Sequence, residues 1–169
     1  MSSGEGTTAS GADRGVPLGA LDQVGIVVAD LDRVERAMAH LLGIAPSGRV
    51  AHRYKGARVH GEPADPEVEI LTFDLGGIEL EFLCPGEGKS TWREWLETRG
   101  EGIHHLRWQT PSQQAALAHL EESGLERTQE GGSMRGGDVR FAYHDATVDL
   151  GFFIETLGPA LAETEREAR

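Results

Sequence analysis

Two halves of this sequence follow the same pattern, and this duplication constrains the fold more than any other feature. The segment 21–28, Leu-Asp-Gln-Val-Gly-Ile-Val-Val, has its counterpart in 103–108, Ile-His-His-Leu-Arg-Trp, and 76–83 has its counterpart in 150–156. Gln23 thereby corresponds to His105, and Glu81 corresponds to Glu155. Equivalent positions of a repeated unit therefore hold four side chains that carry oxygen or nitrogen donors.

The alternation of apolar and polar residues predicts an α+β fold made of two tandem βαβββ modules, which form one cup-shaped mixed sheet with helices outside. Asp30 is placed to cap the first helix and Gly43 to end it. Gly76-Gly77 is a hairpin signal between two strands. The predicted strands are 21–28, 57–60, 68–74, 78–83, 103–109, 126–129, 139–144 and 151–156, and the predicted helices are 31–42, 91–98 and 111–123.

The domain organisation follows from composition. The first residues are rich in Gly, Ser and Thr and hold too little apolar surface to fold, and the last residues are charged. The predicted division is a disordered leader at 1–19, a first module at 20–89, an inter-module helix at 90–99, a second module at 100–158 and a charged tail at 159–169.

Charge and cysteine content exclude several classes of function. The formal net charge of −12 argues against a nucleic-acid-binding protein, which normally presents a basic face. Cys84 is the single cysteine of the 169 residues, so no internal disulfide can form. The sequence shows neither an apolar run long enough for a membrane span nor a secretory signal. We therefore expect a cytoplasmic protein that binds neither membranes nor nucleic acid.

The four repeated polar residues predict a metal site. Side chains alternate between the faces of a strand, so Gln23, His105, Glu81 and Glu155 all point away from the apolar face that packs on the helices. A lone Gln on a strand is usually only solvated or hydrogen-bonded, and one of the adjacent His104 and His105 is expected to be structural. Two carboxylates facing into a cup nevertheless require a cation or a hydrogen-bonding partner. The donor set suits one divalent ion, Zn, Co, Ni, Mn or Fe, with open positions.

These segments resemble the vicinal oxygen chelate superfamily, which includes glyoxalase I, methylmalonyl-CoA epimerase, extradiol dioxygenases and the bleomycin and fosfomycin resistance proteins. The resemblance covers residues 20–158. The segment 100–106, Gly-Glu-Gly-Ile-His-His-Leu, is most similar to methylmalonyl-CoA epimerase, as are 21–28, 81–85 and 151–155. The ligand set departs from that group, because the epimerases usually carry His where this chain has Gln23. A Gln/Glu/His/Glu set looks like that of some zinc glyoxalase I enzymes.

The resemblance implies a metal-dependent isomerase or epimerase that transfers a proton at the carbon next to a carbonyl. The alternatives are a glyoxalase I-type lyase, or another metal-assisted rearrangement in specialised metabolism, and a metal-free protein that binds or confers resistance to a small molecule. The carboxylates that would act as bases are Glu155 and Glu81, with Glu69 as an additional candidate. An extradiol dioxygenase is disfavoured, because Gln23 replaces one His of the two-His, one-carboxylate iron site.

The resemblance also implies a small-molecule substrate, such as an acyl-CoA or another thioester, and a homodimer. A carboxylate or phosphate group of such a substrate needs cationic or polar partners. Arg107 is predicted to share the inner face with His105. Arg140 and His144 follow in the second module as further candidates for substrate binding.

Overall fold

The computed structural model describes residues 17–160, which form three α-helices and one curled sheet of ten strands. The elements in chain order are β1 (Leu21–Val27), α1 (Leu31–Leu42), β2 (Gly48–Arg53), β3 (Ala57–Val59), β4 (Glu62–Ala64), β5 (Glu67–Asp74), β6 (Glu79–Pro85), α2 (Thr91–Arg99), β7 (Gly102–Gln109), α3 (Gln113–Glu122), β8 (Arg127–Gly132), β9 (Val139–Ala146) and β10 (Phe152–Pro159). None of the helices in this part of the chain is long and apolar enough to span a membrane.

The centre of the sheet reproduces the duplication seen in the sequence. β1 pairs in parallel with β6, and β7 pairs in parallel with β10. β1 and β7 run antiparallel, with Gln23 opposite Arg107 and Gly25 opposite His105. Because Gln23 corresponds to His105 and Gly25 to Arg107, a two-fold rotation at this seam exchanges the two pairs. The predicted α+β fold with one mixed sheet is confirmed.

The outermost hairpin of the first half lies at the edge of the sheet formed by the second half. The sheet order is β2-β5-β6-β1-β7-β10-β9-β8-β3-β4, so the β3–β4 hairpin of the first half pairs with β8 of the second half. The sequence did not predict β2 or β4. Five of the six residues of β2 are exposed, so this edge strand lacks the alternation that identifies a half-buried strand.

The helices follow their capping signals. The Asp30 side chain accepts a hydrogen bond from the backbone of the first turn of α1, and Gly43 ends the helix with a φ of 69°. α2 begins after Ser90 as predicted and extends one residue further, to Arg99. α3 begins at residue 113, not 111, because the cap is the Ser112 side chain.

Two clusters of buried side chains separate the two faces of the sheet. On the outer face α1 packs through Leu31 and Met38 against the alternate residues Leu71 and Phe73 of β5 and against β6. The inner face carries an aromatic cluster whose buried members include Tyr54, Trp92, Trp95, Phe141, Tyr143 and Phe153. The two tryptophans of α2 are therefore buried against the inner face.

The predicted leader and tail fall almost wholly outside the described residues. The few residues of these two segments that the structure describes are attached to the sheet by hydrogen bonds. The amide of Gly19 donates to the carbonyl of Gln109 at 2.7 Å, and Thr110 Oγ1 donates to the carbonyl of Pro17 at 2.7 Å. At the other end the amide of Ala160 donates to the carbonyl of Asp138 at 2.8 Å.

Candidate metal centre

The structure brings the four predicted ligands together on the inner face of the four central strands. We call Gln23 on β1, Glu81 on β6, His105 on β7 and Glu155 on β10 the central cluster. Each of these residues is at most 8% exposed. His105 Nε2 lies in the middle, at 3.1 Å from Gln23 Oε1, 3.6 Å from Glu81 Oε2 and 3.0 Å from Glu155 Oε2.

A glycine on the neighbouring strand makes room for the central imidazole. Gly25 lies directly opposite His105 in the β1–β7 pairing. A Cβ atom at position 25 would lie 1.9 Å from His105 Cε1, 2.2 Å from Nε2 and 2.4 Å from Nδ1. Any larger residue at position 25 would therefore displace the ring.

A β-bulge turns both adjacent histidines into the interior. Gly25 pairs with His105 and Ile26 pairs with Ile103, so the register skips His104. His104 and His105 are both fully buried, although neighbours on a regular strand point to opposite faces. The Nδ1 atoms of the two imidazoles lie 3.1 Å apart. The bulge thus places a second histidine directly behind the first.

The amide of Gln23 is held in one orientation by Glu79, which the sequence reading did not select. Gln23 Nε2 donates to Glu79 Oε1 at 2.6 Å, so the amide oxygen faces His105. Glu79 lies two residues before Glu81 on β6, and strand alternation puts both carboxylates on one face. The two-residue spacing between Glu79 and Glu81 is the sequence signal that points to Glu79.

Arg107 lies beside the central cluster, and its charge is already matched by an acid. Its Nε and Nη2 atoms donate to the two carboxylate oxygens of Asp22 at 2.8 and 3.1 Å. The Gln109 side chain donates to the same carboxylate. Arg107 Nη2 also lies 3.7 Å from Glu79 Oε1. This bidentate pair fixes the guanidinium and leaves it little net charge to balance further carboxylates.

Burial governs the protonation of the central cluster. Removal from water raises the pKa of Glu81 to about 8, and the nearby charge of Glu155 adds to the shift. Removal from water also raises the pKa of Glu155 to about 8, against the opposing effect of Arg107. Burial lowers the pKa of His105 to about 3, so its imidazole is neutral at pH 7. The neutral imidazole is the form that binds a metal ion.

The donor set fits a divalent ion, although the donors contact one another in this structure. The described residues contain no group of three His, Cys, Asp or Glu side chains already arranged around a common point. Instead the three oxygens of the central cluster surround His105 Nε2 at 3.0–3.6 Å. Donor atoms that share a metal ion at about 2.1 Å lie roughly 3.0–3.4 Å from each other. Glu155 Oε2 is buried, makes no hydrogen bond, and has His105 Nε2 as its polar neighbour at 3.0 Å.

A cavity of about 180 Å³ opens onto the central cluster. Its remaining wall combines aromatic rings, the Arg107 guanidinium and residues of the β8–β9 connection. Among the residues of this wall are Tyr54, Tyr143, Arg107, Met134 and Arg135. The cavity therefore offers an apolar surface with two cations beside the predicted ligands.

Three other predicted residues lie away from the central cluster. Glu69 on β5 alternates with the inner residue Ile70, is half exposed and lies 3.7 Å from Arg49. His144 on β9 lies opposite Ile154 on the face that α3 covers. Arg140 is exposed on that same face, which holds a groove beside α3. The structure thus brings only Arg107 of the three predicted substrate-binding residues to the cavity.

Comparison with known proteins agrees with this architecture. The sequence profile of the Glyoxalase/Bleomycin resistance protein/Dioxygenase superfamily matches residues 22–143. No curated protein matches the sequence.

Solved structures show the same fold at low sequence identity. A Streptomyces coelicolor methylmalonyl-CoA epimerase variant in complex with 2-nitronate-propionyl-CoA is 21% identical, with a TM-score of 0.62 over 85% of this chain and 99% of its own. The Mycobacterium tuberculosis methylmalonyl-CoA epimerase is 22% identical, with a TM-score of 0.59 over 90% and 94%. A hypothetical protein, BH1468 from Bacillus halodurans C-125, is 22% identical, with a TM-score of 0.61 over 82% and 93%. The chain belongs to the glyoxalase/bleomycin resistance/dioxygenase superfamily.

Proposed function

We propose that this protein is a metal-dependent isomerase of the epimerase type, which transfers a proton at the carbon next to a carbonyl group. The observation that carries this proposal is the central cluster. Two buried carboxyl groups, one neutral imidazole and one oriented amide oxygen converge at the floor of a cavity. Two buried carboxyl groups next to an arginine that Asp22 already neutralises must either hold protons or bind a cation.

The residues divide the work between binding and proton transfer. Gln23, Glu81, His105 and Glu155 would hold the metal ion. When bound, the ion would polarise the substrate carbonyl and stabilise the negative charge that develops on its oxygen. Glu155 lines the cavity, so its carboxylate is our choice for the group that takes the proton from carbon and returns it.

Electrostatics supports a carboxylate as the base. Burial raises the pKa of Glu155 to about 8 in the absence of a cation, and a bound divalent ion would favour the ionised carboxylate, which is the form that can accept a proton. Glu81 has a similarly raised pKa, but the Gln23 side chain interacts with it and lowers that pKa. Glu69 is half exposed on the other face of the sheet, so we do not assign it this role.

The substrate class we propose is a small acyl thioester. The cavity of about 180 Å³ accommodates a short acyl group and not a whole cofactor, so a carrier such as CoA would extend to the surface. Arg135 is more than half exposed at the cavity, where a cation can bind an anionic group of that carrier. The epimerase structures in complex with acyl-CoA compounds support this choice by analogy.

A glyoxalase I-type lyase is the second candidate function. Gln23 favours it, because the amide oxygen faces the imidazole and is placed to act as a ligand. Both reactions begin with removal of a proton next to a carbonyl, so the same residues would serve. The two candidates differ in substrate, a thioester for the first and a hemithioacetal for the second.

The first experiment is the metal content of protein purified without chelator. We expect about one transition metal ion per chain in the wild type and none in the double variant His105→Ala/Glu155→Ala. A wild type that stays metal-free after incubation with Zn²⁺, Co²⁺, Ni²⁺ and Mn²⁺ would remove both enzyme candidates and leave a small-molecule binding protein.

The second experiment is exchange of the α-proton for deuterium in D₂O. Loaded protein is incubated with methylmalonyl-CoA or with the hemithioacetal of methylglyoxal and glutathione, and deuterium incorporation is followed by mass spectrometry. We expect Glu155→Gln to abolish exchange and Glu69→Gln to retain it. The opposite result would identify Glu69 on β5 as the base. The predicted homodimer stays a prediction, which sedimentation velocity would test.

A further inference from the structure

We infer that His104 is a positioning residue that sets the tautomer of His105, and that metal binding reverses the positions of the protons on this histidine pair. The inference rests on the proposed function, because the reversal requires a metal ion on His105. His104 would touch neither metal nor substrate. Its role would be to accept the hydrogen bond that fixes the ligand imidazole.

The geometry behind the metal ligand carries this inference. The Nδ1 atoms of His104 and His105 lie 3.1 Å apart, and both side chains are fully buried. The bulge in β7 turns His104 to the inner side, where its ring stacks on Phe153 with centroids 4.7 Å apart. A hydrogen bond between two Nδ1 atoms requires that one of them carries the proton and the other accepts it.

For the metal-free protein we place the proton between the two Nδ1 atoms on His104. Glu79 accepts from the Gln23 amide, so the Gln23 oxygen faces His105 Nε2 at 3.1 Å. An amide oxygen can only accept, so we place the proton of His105 on Nε2, where Glu155 Oε2 is a second neighbour at 3.0 Å. Its Nδ1 is then the acceptor, and His104 Nδ1 donates to it.

A metal ion on His105 Nε2 requires the reverse arrangement. The lone pair of Nε2 is then used for the metal, so His105 carries its proton on Nδ1 and donates to His104 Nδ1. His104 must hold its own proton on Nε2. The proton between the two Nδ1 atoms moves from His104 to His105, Nε2 of His105 releases one, and Nε2 of His104 takes one up. The pair keeps the same number of protons.

The surroundings of His104 hold the ring neutral and in place. Its Nε2 is buried and makes no hydrogen bond. Burial lowers the pKa of His104 well below its ordinary value, against the opposing interaction with the backbone of Thr91 at the start of α2. The edges of the Trp95 and Tyr143 rings close the remaining sides at centroid distances of 5.4 and 5.2 Å. His104 is thereby kept neutral and fixed in orientation.

Nitrogen-15 NMR of histidine-labelled, full-length protein tests the inference directly. Long-range ¹H–¹⁵N correlation spectra distinguish a proton on Nδ1 from one on Nε2, and Zn²⁺ is diamagnetic. In the metal-free protein we expect the proton on Nε2 of His105 and on Nδ1 of His104. In the zinc-loaded protein we expect both to be reversed. Zinc binding without any change at His104 would overturn the inference and leave the proposed function intact.

Zinc titration of variants gives a second readout. His104→Phe leaves the Nδ1–H of His105 without an acceptor, and we expect a loss of zinc affinity of about 10–100-fold. His104→Asn keeps an acceptor and should recover most of it. His144→Phe is the matched control, because His144 is equally buried but both of its ring nitrogens lack partners and it lies on the outer face.

The outcomes distinguish a failure of the positioning role of His104 from a failure of the proposed function. Wild-type affinity in His104→Phe would overturn the positioning role, as would an equal loss in His144→Phe. If His104→Phe does not fold, the wild-type spectra and the Asn variant still decide. A wild type that binds none of the four ions would overturn the proposed function together with the inference.

Discussion

The substitution Gly25→Ala tests whether the central cluster depends on space left by a missing side chain. Gly25 lies opposite His105 across the β1–β7 seam, and it adopts an ordinary strand conformation. Alanine is therefore compatible with the backbone at this position. Any effect of the substitution must come from contact between the new methyl group and the imidazole.

The size of the effect follows from the distances. The added Cβ would lie 1.9–2.4 Å from three atoms of the His105 ring. Ordinary contacts between such atoms are about 3.5–4.0 Å, so the ring must move by roughly 1.5 Å. Overpacking of this kind costs about 1–3 kcal/mol of stability. Metal ligands tolerate only about 0.2 Å, so we expect zinc affinity to fall by about 100-fold or more.

Urea unfolding of metal-free protein and zinc titration calorimetry measure the two effects. Gly132→Ala is the matched control, because this strand glycine has Arg140 Nη1 at 3.9 Å as the nearest neighbour of an added Cβ. In a His105→Ala background, Gly25→Ala should leave the free energy of unfolding almost unchanged. The double-mutant cycle should therefore give a coupling energy between positions 25 and 105 of about 1–3 kcal/mol. Wild-type zinc affinity in Gly25→Ala, or an equal cost in both backgrounds, would refute the reasoning.

Two further predictions concern the oxygens of the central cluster. Glu79→Ala should lower zinc affinity about 10-fold, because it removes the acceptor that orients the Gln23 amide. Glu79→Gln keeps an acceptor and should bind zinc as the wild type does. Equal zinc affinities of the two variants in calorimetry would contradict this. The unfolding free energy of the metal-free protein should fall by about 3 kcal/mol from pH 6.5 to 8.5. The reason is that folding raises the pKa values of Glu81 and Glu155 from 4.5 to about 8, so the folded state binds the extra protons and loses this advantage as pH rises. The three buried histidines oppose this fall by about 1 kcal/mol in total, because their pKa values are lowered in the folded state and only the unfolded state, with the ordinary value of 6.5, binds their protons at the start of the interval. Zinc affinity should rise over the same pH interval, because the carboxyl groups lose their protons. Stability and zinc affinity that do not change with pH would count against the raised pKa values and against the assignment of these groups as ligands.

Local signals in the sequence were sufficient for most of the fold. The caps Asp30 and Ser90 predicted the first residues of α1 and α2, because a capping side chain acts within one turn. The duplication predicted that β1 and β7 play equivalent roles, and strand alternation placed the four candidate ligands on one face. These inferences depend on short-range geometry, which the sequence contains directly.

The features that the sequence did not reveal depend on pairing between distant strands. The bulge that turns His104 inward exists only because β7 pairs with β1 in a particular register. The attachment of the β3–β4 hairpin to β8 depends likewise on how the sheet curls. His144 follows Tyr143 on β9, and period-two alternation alone does not say which of two neighbours faces inward. Here the aromatic Tyr143 faces the cavity and His144 packs under α3.

The departures from two-fold symmetry at the β1–β7 seam account for the chemistry of the central cluster. The register that places Gly25 opposite His105 also places Gln23 opposite Arg107, and identical modules would carry identical side chains at positions 25 and 107. The absence of a side chain in one module gives the imidazole of the other its space. Arg107, at the equivalent position, is held by Asp22 and does not neutralise both buried carboxyl groups. At neutral pH these groups must therefore either hold protons or bind a cation, and this choice is what a metal-dependent proton-transfer site requires.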